Sequence, residues 1–113
     1  MKTVNILGTE YTIDFRKKEE DTNLDDNDGY TDTSAKLIVV EDIQPEKGSK
    51  LNLEYYTKQV VRHEVIHAFL FESGLEGCCN NNFGAWSQNE EMVDWFAIQS
   101  PKIFQAFREA DAL

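Results

Sequence analysis

The chain has only two histidines, and they stand four residues apart in the stretch HEVIH, His63 to His67, with Glu64 directly after the first. On an α-helix, residues four apart lie one above the other, offset by about 40° around the axis. Two imidazoles so placed can converge on one ion, at Zn–N distances of about 2.0–2.1 Å. Glu64 lies about 100° around from His63, where it flanks the ion without being forced to ligate it. That is the place for a general base, within one hydrogen bond of a water acidified by the metal.

The competing reading makes these residues a polar pair on the exposed face of an amphipathic helix. It requires polar neighbours, and VVRHEVIHAFLF (60–71) is apolar almost all round. Burying two imidazoles, a carboxylate and Arg62 without partners costs about 1–3 kcal/mol for each unsatisfied group. A shared cation removes that penalty, so the stretch predicts one zinc ion per chain, held by His63 and His67.

Catalytic zinc takes three protein ligands and a water, and no third histidine exists. The remaining donors are carboxylates, or the adjacent pair Cys78-Cys79. Zinc-binding cysteines are usually spaced by two to four residues, and a bridge between neighbours closes almost no chain, so the pair reads as reduced thiols in a turn. SQNEEMVDWFAIQ (87–99) offers Glu90 and Asp94 on one helical face, where like charges four apart repel. A cation and an imidazole between them reverse that repulsion, with Glu90 on the metal and Asp94 accepting the far N–H of a ligating histidine. Ser87-Gln88-Asn89-Glu90 also fits a capping box; in that case Glu91 becomes the ligand.

Around these segments the pattern predicts short strands near 3–7 and 10–15, hinged at Gly8-Thr9, and a third over 35–42. Between them, residues 17–34 form a polar, acidic connection. Its LDDNDG resembles a calcium loop, but alignment on Gly29 puts Leu24 and Ala35 at ligand positions, and the match fails. Asn52 caps a helix running to about Ser73, stopped by Gly74 and Gly77. A loop over 74–86 precedes a second helix from Ser87 to about Gln99. Ser100-Pro101 then predicts a separate third helix over 101–111.

HEVIH followed by NEEMVDWFA resembles the gluzincin metallopeptidases, whose pattern is H-E-x-x-H and then N-E-x-x-x-D with a nearby aromatic and small residue. Asn89, Glu90, Asp94, Phe96 and Ala97 match the second segment. The small size resembles the minigluzincins, and the order of segments resembles the ImmA/IrrE-type regulatory peptidases common in phages and mobile elements. The resemblance covers roughly residues 57–104. It implies zinc ligands His63, His67 and Glu90, Glu64 as catalytic base, Asp94 behind a histidine, and a peptide or protein substrate. Nothing in the sequence matches the second lobe of large gluzincins, which supplies an oxyanion-stabilising tyrosine and histidine, and Tyr55, Tyr56 and Arg62 are left without that role.

The fold expected is a single α+β domain over 1–113, minimal zincin-like. A small twisted antiparallel or mixed sheet of about three strands packs on the HExxH helix and a glutamate-bearing helix, with a short C-terminal helix. The strand near 36–41 is expected to offer its edge to an extended substrate. The function expected is zinc-dependent peptide hydrolysis; the alternative is a zinc-stabilised regulatory or protein-binding domain. A net charge of −10, from 21 acidic and 11 basic side chains, argues against a nucleic-acid surface and against docking on anionic lipid. No apolar run approaches a membrane span, and MKTVNILGTEYTIDF lacks the pattern of a secretion signal. A cytoplasmic location is the expectation.

Overall fold

The computed structural model describes residues 1–79 and 84–113, so part of the loop expected over 74–86 lies outside the described residues. Leu7 and Gly8 both adopt positive φ, 51° and 93°, the two-residue turn whose twist matches that of the strands it joins. It connects β1 (Lys2–Ile6) to β2 (Thr9–Arg16) as an antiparallel hairpin. The chain then makes two short 3-10 turns before β3 (Gly29–Asp32) and β4 (Leu37–Glu41). The sheet is mixed and four-stranded, in the order β1-β2-β4-β3, with only β2 and β4 parallel. The α+β expectation therefore holds, with one strand more than anticipated.

That additional strand, β3, lies inside the polar connection and changes which edge is free. β4 is bonded on both sides, to β2 and to β3. The expected substrate edge at 36–41 is thus interior. The edge beside the helices belongs to residues 29–32.

Helix α1 (Leu53–Glu72) lies across one face of the sheet. Its N-cap is Asn52, whose side chain accepts from the Tyr55 amide at 3.0 Å, and Gly74 follows its end at φ 88°. Val60 and Ala68 pack on Ile6, Tyr11, Ile13, Ile38 and Val40 to form the core. The acidic connection covers β4's other side. Leu24 and Val39 are fully buried there, and Asp21 accepts from Tyr30 Oη at 2.5 Å and Arg16 Nη1 at 2.8 Å.

Helix α2 runs unbroken over Glu90–Glu109, where two helices divided at Ser100-Pro101 were expected. Proline inside a helix removes the amide that would bond the carbonyl four residues back. Here that carbonyl belongs to Ala97, and it accepts instead from Arg62 Nε on α1 at 2.6 Å. Arg62 replaces the missing bond and ties the two helices together at the same point. Replacing Arg62 with Met should lower the unfolding free energy by about 1–3 kcal/mol in denaturant titrations. In a Pro101→Ala background the cost should shrink, because the restored amide satisfies Ala97. Equal costs in both backgrounds would contradict the exchange. Among the described residues no helix is long and apolar enough to cross a membrane.

Candidate metal centre

On α1, Val60, Glu64 and Ala68 recur every fourth residue and face the sheet, and all three are buried. This stripe rotates His63 and His67 toward α2, each half-buried. Their Nε2 atoms approach to 3.1 Å. α2 enters with its first turn over the pair. Its cap is Asn89, whose side chain accepts from the Met92 amide at 2.8 Å; Ser87 is buried in a separate 3-10 turn. The capping-box reading of Ser87 is thereby overturned, and Glu90 is released to meet the histidines.

Glu90 Oε2 lies 3.1 Å from His63 Nε2, and Oε1 lies 2.8 Å from His67 Nε2. One turn further along, Asp94 Oδ1 lies 2.7 Å from His63 Nδ1. Among the described residues, His63, His67 and Glu90 form a group whose potential ligand atoms all lie within 4.8 Å of one another. Neither Glu91 nor a cysteine belongs to it. Glu90 and Asp94 thus each meet a different nitrogen of the His63 imidazole.

This donor set fits a divalent cation. In the tautomer whose Nδ1–H donates to Asp94, the His63 Nε2 lone pair faces a carboxylate and a second imidazole. Lone pairs that converge in this way repel unless a proton or a cation lies among them, and one divalent cation can serve all three donors at once. Ligand atoms about 2.1 Å from a tetrahedral zinc stand about 3.4 Å apart, a little more than the 2.8–3.1 Å separations here. Two imidazoles and a carboxylate are also the donor types of hydrolytic zinc sites, which keep one position open.

Glu64 Oε2 is 3.9 Å from His63 Nε2, outside the convergent set and beside it. Glu64 is buried, with 7% of the residue exposed. Burial pushes its pKa above the ordinary carboxylate range, while the Thr31 hydroxyl and the two histidines pull it down. Thr31 Oγ1 donates to Glu64 Oε1 at 2.9 Å and also lies 3.1 Å from the Glu64 carbonyl. Gly29, on the same face of β3, sits close against α1. A Cβ there would lie 3.0 Å from both the Val39 carbonyl and Val60 Cγ1, and 3.3 Å from Glu64 Cγ.

Two hollows flank the histidines. One, about 170 Å³, is bounded by Asp28, Tyr56, Gln59 and Asp94. Tyr56 donates its hydroxyl to Asp28, and burial, then that bond, pushes the phenol up to about 12. The other, about 450 Å³, lies along Thr31, Thr33, Glu76 and Gln88. Among the described residues, no lysine or arginine lines either hollow. Arg62 bonds Ala97 and Tyr55 is exposed on the first turns of α1.

Sequence reasoning named His63, Glu64, His67, Glu90 and Asp94, and the structure brings all five together. It missed Gly29, Thr31 and Asp28, which sit in a stretch too polar to read as a strand. Compared with known proteins, the chain matches no family model, no curated protein and no solved structure.

Proposed function

We propose that the protein is a zinc-dependent peptidase in which His63, His67 and Glu90 hold the metal and Glu64 is the general base. The observation that carries this reading is the convergence of two imidazole nitrogens and one carboxylate, with a second, buried carboxylate beside them. A purely structural zinc site closes all four positions with protein and has no use for that neighbour.

Zinc bound there supplies Lewis acidity toward a substrate carbonyl and acidifies a water toward neutrality. The chain's own residues do the rest. Glu64 accepts the proton of the attacking water and returns it to the departing amine. Asp94, on His63 Nδ1, fixes the tautomer that leaves Nε2 free to ligate.

β3 is suited to align the substrate. The Glu41 amide donates to the Asp28 carbonyl at 2.8 Å, which sets the alternation of the antiparallel ladder. Tyr30 then bonds to β4, and the main-chain groups of Gly29 and Thr31 point to the free edge. An extended peptide added there runs past Glu64 and the histidines. The surrounding carboxylates favour neutral or cationic peptides over acidic ones.

The test is a diverse peptide library incubated with zinc-loaded protein and read by mass spectrometry. Cleavage is expected, and N-methylation of backbone amides in a cleaved peptide should abolish it at alternate positions only. If methylation is tolerated everywhere, edge pairing is wrong; if no peptide is cut, the peptidase reading is wrong.

A further inference from the structure

We infer that Thr31 is a positioning residue, whose side-chain hydroxyl holds the Glu64 carboxylate in its working orientation; the inference rests on the role proposed for Glu64. A glutamate has three rotatable bonds, and a general base is effective only when its oxygen stays within hydrogen-bond reach of the proton it takes. Among the described residues, no side chain of α1 hydrogen-bonds the Glu64 carboxylate. Among the described residues, the one hydrogen bond to its carboxylate comes from the sheet, from Thr31 Oγ1 to Oε1 at 2.9 Å.

The bond uses one oxygen and leaves the other for chemistry. Oε1 is taken by Thr31, whereas Oε2 is the atom that lies 3.9 Å from His63 Nε2. The same hydroxyl hydrogen has a second acceptor within reach, the Glu64 carbonyl at 3.1 Å, so either bond ties Thr31 to this one turn of α1, and the shorter is to the carboxylate. Two residues earlier on the same face of β3, Gly29 lets the strand come close enough for this reach. A side chain there would meet Val60 and the Glu64 stem. Gly29 and Thr31 together seat the base, one by its lack of bulk and the other by its hydroxyl.

The same residues present their main chain to the free edge proposed for substrate. Thr31 therefore links the line along which a peptide would lie to the carboxylate that would deprotonate the water. A displacement of about 1 Å in such a constellation costs on the order of a hundredfold in rate.

The experiment compares Thr31→Val, which keeps the shape and loses the hydroxyl, with Thr31→Ser, which keeps the hydroxyl. In the zinc-loaded protein, Thr31→Val should lower kcat by roughly tenfold to a hundredfold, with KM and zinc affinity unchanged, and Thr31→Ser should restore it. A parallel measurement needs no activity. In metal-free protein, denaturation of Thr31→Val, Glu64→Ala and the double variant should show less-than-additive effects, because both single changes break one bond. Additive effects, or wild-type kcat in Thr31→Val, would overturn the inference. So would loss of zinc or of folding in Thr31→Val. If the wild type cuts nothing while the coupling persists, the peptidase reading fails and the hold on Glu64 stands.

Discussion

Glu64→Gln should reduce peptide hydrolysis by about 10²–10⁴-fold, the contribution typical of a positioned general base, while still binding one zinc per chain. The substitution isolates the proton-transfer role. The amide keeps the side-chain length, and its oxygen can still accept from Thr31, so the seat on β3 is preserved. It also removes a carboxyl that burial disfavours in its charged form, so folding should not suffer. His63, His67 and Glu90 are untouched, so the metal set remains whole. Measurement of kcat beside metal content by mass spectrometry separates the outcomes. Retention of the wild-type rate would remove Glu64 from the mechanism. If Glu64→Gln preserved the biological effect while zinc removal abolished it, the protein would be a zinc-stabilised binding domain.

The second large effect concerns the metal itself. His63→Ala or His67→Ala should abolish stoichiometric zinc binding, and Glu90→Gln should weaken it severely. Without a cation, the centre leaves the Glu90 carboxylate against two imidazole nitrogens, with Glu64 nearby. A ligand that binds only the folded state stabilises it by about 4 kcal/mol at a thousandfold excess over its Kd. For a domain of this size, that corresponds to a rise in Tm of roughly 15 °C or more. The wild type should show this rise on zinc addition and lose it in EDTA, and the histidine variants should show neither change. A Tm indifferent to zinc in the wild type would contradict a bound metal of any role.

The parts of the fold that were legible in the sequence are those in which one local rule acts alone. HEVIH needs only helical periodicity to bring His63 and His67 together, and Asn52 caps that helix as its residue type suggests. The Glu90–Asp94 pairing follows from four-residue spacing in the same way. β3 was hidden because the residues it turns toward α1 lack the usual strand signal. Its face toward α1 holds Gly29, small enough for close packing, and Thr31, a polar residue whose hydroxyl bonds Glu64. Neither contributes apolar alternation. Missing β3 moved the expected substrate edge to β4, which the sheet in fact buries.

The continuity of α2 failed to show for a different reason. Ser100-Pro101 has the local chemistry of a helix start, and the bond that lets the helix pass through it comes from Arg62, 35 residues before the Ala97 carbonyl it satisfies. Local propensity was overridden by a long-range donor. The cap at Asn89 was likewise obscured by Ser87, which satisfies the capping-box pattern in sequence but lies buried before the helix begins. In both places the competing local patterns were real, and tertiary contacts chose between them.

The most direct measurement is a crystal structure of the zinc-loaded protein with data collected on both sides of the zinc absorption edge. One anomalous peak is expected, about 2.1 Å from His63 Nε2 and His67 Nε2 and bonded to the Glu90 carboxylate. Glu64 should stand beside the ion on the Thr31 hydroxyl, outside its coordination sphere. A peak coordinated by Glu64, or by Glu91 or a cysteine in place of Glu90, or no peak at the histidines, would contradict the account.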